Sequence, residues 1–165
     1  MSLFLAALSI GDITSIIQAA TNVIQAIAVV ISLLYLARQV QESTKAAKGA
    51  TYQAIISSFA ELEALITQDE QVARIYTLGK KEPNSLSENE VTRFNEIMST
   101  FFNLYENLYY QYKNNLLEEE LWAGWCRNMR TDLEETGAAK WWENKGYLYS
   151  KSFREYVKLG KCPKS

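Results

Sequence analysis

Histidine is absent from these 165 residues. That removes Ser–His–Asp and Cys–His nucleophile chemistry, zinc sites built on imidazole, and histidine-dependent ribonuclease mechanisms. Cysteine occurs only twice, at Cys126 and Cys162, with no CxxC spacing. Such usage suits free thiols in a reducing compartment, with a single disulfide as the alternative. Proline (2) and glycine (7) are scarce and 48% of residues are hydrophobic, so an all-α fold is expected. Neither sign of charge prevails: 17 basic against 19 acidic side chains give −2, and nothing global points to nucleic acid. A glycine-rich phosphate loop, a nucleophile elbow and diagnostically spaced carboxylates are all missing. The expectation is therefore a protein that is not an enzyme and has no cofactor or metal.

Charge is also missing locally. Between Asp12 and Arg38 lie the 25 uncharged residues Ile13 to Ala37. As a helix rising 1.5 Å per residue they span about 37 Å, against about 30 Å of bilayer hydrocarbon. A transmembrane helix over 13–37 is expected, with the lipid bilayer as its first partner. The leader MSLFLAALS has no Lys or Arg and no clear cleavage site follows, so the segment reads as an anchor that stays. After the span, Arg38, Lys45 and Lys48 outnumber Glu42. The positive-inside rule then sets the C-terminal bulk in the cytoplasm and the N-terminus outside.

Within this apolar run, Thr14, Gln18, Thr21, Gln25, Ala28, Ser32, Tyr35 and Gln39 are spaced alternately by 4 and 3. That is heptad a/d spacing, so one stripe of the helix is polar or small, with Asn22 beside it. Carboxamides facing hydrocarbon leave their donors and acceptors unmet. Copies of the same helix would satisfy them, each interhelical bond being worth roughly 0.6–2 kcal/mol. Thr14, Gln18, Thr21, Asn22, Gln25 and Ser32 are therefore the candidate residues of a homo-oligomer seam, or of a pore lining if many copies enclose water.

Beyond Arg38 the same spacing continues through Gln39, Glu42, Ala46, Gly49 and Gln53, and a second stripe starts at Ile55, Phe59, Leu62 and Ile66. One long helix or two abutting ones are expected from about 12 to 68, with Gly49 as the kink. Asp69 is the expected cap of a short helix ending at Gly79, KKEPNSL is a loop, and Ser87 with Glu90 forms a capping box. Phe94, Met98, Phe101, Tyr105, Leu108 and Tyr112 make the core stripe of the next helix, and Glu106 needs a partner if it is buried, with Arg93, Arg127 and Arg130 as candidates. Leu121, Trp125 and Met129 are expected on one side of a further helix that opens on the solvated Glu118–Glu120 turn. AAKWWENKG and SKSFREYVKLG read as two short helices, with Trp141 and Trp142 expected in the core and the membrane surface as the alternative. The expected organisation is an apolar segment 1–12, a membrane helix 13–37, a stalk and first bundle helix 38–68, the rest of a cytoplasmic helical bundle 69–160, and a loose tail 161–165.

The blocks ATYQAIISSFAELEALITQDEQVARIY, FFNLYENLYYQYKNNLLEEELWAGW and WWENKGYLYSKSFREYV resemble those of a widespread set of bacterial proteins. In these, one N-terminal membrane helix precedes a small helical domain. The resemblance implies that architecture in a bacterial inner membrane, and no activity. In outline the plan is also similar to CRISPR-associated accessory proteins that assemble as membrane pores. Some of those carry an arginine–histidine motif, which has no counterpart in a chain without histidine. Two functions follow as expectations: a self-assembling membrane protein, or a membrane-tethered scaffold whose bundle binds a protein partner.

Overall fold

The computed structural model describes residues 10–164. Among these there are only helices and connecting turns, so the fold is all-α. Helix α1 runs from Ile10 to Gln68, α2 from Glu70 to Lys81, α3 from Glu88 to Lys113, α4 from Glu119 to Glu134, α5 from Thr136 to Lys145 and α6 from Lys151 to Leu159. Short 3-10 turns at Pro83–Ser85 and Gly146–Leu148 join α2 to α3 and α5 to α6. The chain divides into two compact units, residues 1–47 and 48–165. The segment SLFLAAL lies outside the described residues.

In the first unit, residues 10–47 of α1 are exposed along their whole length. Ile24, for example, keeps 66% of its surface. Helix α1 is one continuous element through Gly49, not two abutting helices.

The second unit holds the core. Asp69 caps α2 as its spacing predicts, its carboxylate accepting from the N–H groups of Gln71 and Val72. The capping box of α3 also forms, with Ser87 N–H donating to Glu90 at 2.9 Å. Phe94, Met98, Phe101, Tyr105 and Leu108 then fall on the inner face of α3 and are buried, with Tyr112 partly so. They meet Ile55, Phe59 and Leu62 of α1 and the aromatic residues of α4, α5 and α6. Phe59 stacks on Trp125 with centroids 4.2 Å apart, and Phe102 on Trp142 at 4.8 Å. Trp141 is buried and Trp142 packs against the same cluster, as expected.

Three expectations need correction. Helix α2 does not stop at Gly79 but continues to Lys81. Gly79 is buried, and a Cβ there would run into the Phe94 ring, so its lack of a side chain serves packing and not a turn. Of the three residues expected on one side of α4, Met129 is buried, Trp125 packs against the core and Leu121 is exposed, and Trp122, Ala123 and Cys126 are buried beside them. Glu106 pairs with none of the three arginines; it accepts from the Ser150 N–H at 2.7 Å, at the start of α6, where a carboxylate meets the positive end of the helix. Finally, the tail from Lys161 is not loose at Cys162, which is bonded to Cys126.

Candidate functional site

All six residues of the expected stripe lie on α1, which is continuous across them, so the 4 and 3 spacing keeps Thr14, Gln18, Thr21, Gln25 and Ser32 in one narrow band with Asn22 beside it. The hydroxyls and the carboxamides behave differently. Thr14, Thr21 and Ser32 turn back and donate to the carbonyls of Ile10, Ile17 and Ala28, the last two at 2.9 and 2.8 Å. A hydroxyl satisfied in this way is content in hydrocarbon. Among the described residues, Gln18, Asn22 and Gln25 have no side-chain hydrogen bond within the chain, and all three are exposed. Each keeps two N–H donors and a carbonyl acceptor free for an outside partner.

The helical domain holds a second polar feature, one that the sequence reading did not single out. Asp132 on α4 is buried, and both its carboxylate oxygens are engaged. Lys80 Nζ of α2 donates to Oδ1 at 2.6 Å, and the Tyr105 hydroxyl of α3 donates to Oδ2 at 2.8 Å. Lys80 also lies 3.4 Å from the Tyr76 hydroxyl and 5.1 Å from the centre of that ring. Burial pushes the Tyr105 and Tyr76 phenols up, and the Asp132 carboxylate adds to both shifts. For Lys80, burial pulls downward, but the hydrogen bond and charge of Asp132 outweigh it and its ammonium is held above the usual lysine range.

A cleft of about 300 Å³, lined in part by Glu63, Thr67, Asn128 and Asp132, opens on this network. Its chemistry is nevertheless closed: the negative charge is neutralised and both acceptor oxygens are occupied, so the group serves to tie α2, α3 and α4 together. One signal could have revealed it. Asp132 continues the buried α4 stripe of Trp122, Cys126 and Met129 at helical spacing, where an aspartate needs a buried partner.

The cysteines, expected free, are paired across 36 residues with Cα atoms 5.7 Å apart, well inside the reach of a disulfide. Helix α6 supplies the reason. Phe153 and Val157 bury its inner face, and Gly160 at φ +68° takes the left-handed conformation that stops the helix and turns the chain back toward α4. Arg130 of α4 donates to the carbonyls of Val157 and Tyr156, the second at 2.9 Å, meeting the negative end of α6.

Among the described residues, no cluster of Cys, Asp or Glu is arranged to hold a metal ion. No family model matches the chain, and no curated protein or solved structure matches it either.

Proposed function

We propose that this is a single-pass membrane protein that assembles with copies of itself through the polar stripe of α1. The copies enclose a hydrogen-bonded seam or, in larger rings, a water-filled lumen. The observation that carries the reading is the contrast on α1: an exposed apolar helix long enough to cross a bilayer that bears three carboxamides without hydrogen-bond partners among the described residues. A soluble helix of this composition is normally covered by its own domain, whereas, among the described residues, 10–47 are exposed.

On the resemblance described above, the membrane is a bacterial inner membrane. The bases Arg38, Lys45 and Lys48 favour a cytoplasmic helical domain. The proposal assigns the protein no reaction. Alkaline carbonate should leave the protein in the membrane pellet, and cross-linking in native membranes should give ladders that shrink in a Gln18→Leu/Gln25→Leu variant. Carbonate extraction into the supernatant would refute the anchor; ladders unchanged in the variant would refute the stripe.

A second reading, a tethered scaffold for a protein partner, draws on one feature of the domain. Leu62, Leu65, Ile66, Val72 and Ile97 line an apolar groove of about 300 Å³, at whose edge Leu65 is 64% exposed. Under this reading, Leu65→Glu abolishes partner capture while leaving the oligomeric state unchanged.

A further inference from the structure

We infer that Cys126 and Cys162 form a reversible latch, opened and closed by thiol–disulfide exchange at Cys162 and assisted by the Tyr156 hydroxyl. The inference rests on the cytoplasmic placement proposed above, because disulfides in a reducing compartment are characteristically transient and redox-sensing.

The two sulfurs are unequal. Cys126 is fully buried on α4, whereas Cys162 is half-buried, so an incoming thiolate reaches Cys162 first. The leaving sulfur is equally well placed. Tyr156 OH lies 3.5 Å from Cys126 Sγ. Its oxygen already accepts from Trp122 Nε1 at 2.9 Å, so its own proton is free to donate to that sulfur. A thiolate expelled into a buried site is costly unless a donor meets it, and Tyr156 is that donor.

The steps balance. In opening, the thiolate of a dithiol reductant attacks Cys162 Sγ, the Cys126–Cys162 bond breaks, and the electron pair leaves on Cys126 Sγ. The reductant's second thiolate then releases Cys162, giving two protein thiols after uptake of two protons and an oxidised reductant. In closing, the Cys162 thiolate attacks a low-molecular-weight disulfide and displaces one thiol. Cys126 then attacks the mixed disulfide at Cys162 and displaces the second, so two electrons pass to the oxidant and two protons are lost. Opening frees the chain beyond Gly160, while α6 stays seated through Phe153, Val157 and Arg130.

The test uses the full-length protein. In the purified protein, Tyr156→Phe should slow reduction by dithiothreitol about fivefold, the worth of one hydrogen bond of about 1 kcal/mol to the leaving sulfur. If Tyr156 only packs, its loss loosens the site and reduction becomes faster or stays unchanged, which overturns the assignment. In cells, acid quenching and maleimide labelling should find the pair mostly as thiols during growth and mostly bonded within minutes of diamide. A pair that is always bonded, or never bonded, overturns the latch. Proteolysis of the domain from outside spheroplasts would instead refute the cytoplasmic placement, leaving the exchange chemistry of the purified protein to be judged separately.

Discussion

Asp132 is the residue whose loss the domain should feel most. Its carboxylate neutralises Lys80, whose side chain keeps only 16% of its surface, and receives the Tyr105 hydroxyl. Asp132→Asn leaves an ammonium without its counter-charge in a largely dry site, and should cost about 3 kcal/mol, the size expected when one partner of a buried pair is removed. Tyr105→Phe leaves the ion pair intact and should cost only about 1 kcal/mol. Urea denaturation of the two variants checks the order; equal and small effects would mean that the network contributes little. Residues such as these are the least legible in a sequence. Lys80 and Asp132 are 52 positions apart, and Asp132 sits in the run TDLEE, which looks solvated unless the α4 stripe is followed one residue further. The cysteine pair is hidden for a similar reason: a spacing of 36 says nothing of pairing until Gly160 turns the chain back.

At the scale of the helices, two glycines make an opposed test. A Cβ on Gly137 would lie 1.8 Å from the Gly79 carbonyl oxygen, and backbone has little room to yield. Gly137→Ala should therefore force α5 away from α2 and cost about 2–3 kcal/mol, in the range of core overpacking. Gly49, in the middle of α1, has open space around it, so Gly49→Ala should stabilise the helix by about 0.5–1 kcal/mol. Thermal melts of the two variants should move in opposite directions, and a destabilising Gly49→Ala would mean that this position has a partner outside the chain.

Much of this scale was readable from sequence because caps and stripes are local. Asp69, the Ser87–Glu90 box and the α3 stripe follow from residues within a few turns of each other. The face of α4 did not, since Leu121 and Trp122 are both good core residues and only the packing of Trp122 against Tyr109, Tyr112 and Tyr156 decides between them. The stripe of α1 was legible as a pattern, whereas the division of labour within it, hydroxyls turned back on the helix and carboxamides left free, depends on side-chain rotamers that spacing does not encode.

For the molecule as a whole, the groups held above their ordinary values set the alkaline limit. Lys80 is raised by Asp132 against the pull of burial, so its stabilising contribution is complete below the unfolded lysine value, near 10.4, and is lost as pH rises through the folded value. Tyr105 is raised by burial and by Asp132, so the unfolded chain ionises near pH 10 while the folded one does not. Both effects have the same sign. Between pH 7 and 9 these groups leave stability unchanged, and above about pH 10 it should fall; a urea midpoint that holds or rises at pH 10.5 would contradict the network described for Asp132.

The central claim is that α1 meets copies of itself through Gln18, Asn22 and Gln25, and the mass of the detergent-solubilised protein, with bound detergent subtracted, tests it most directly. The account predicts a complex of several 18.8 kDa chains that falls to smaller species when Gln18 and Gln25 are both changed to leucine. A single chain, or a complex whose mass the double substitution leaves unchanged, would contradict it.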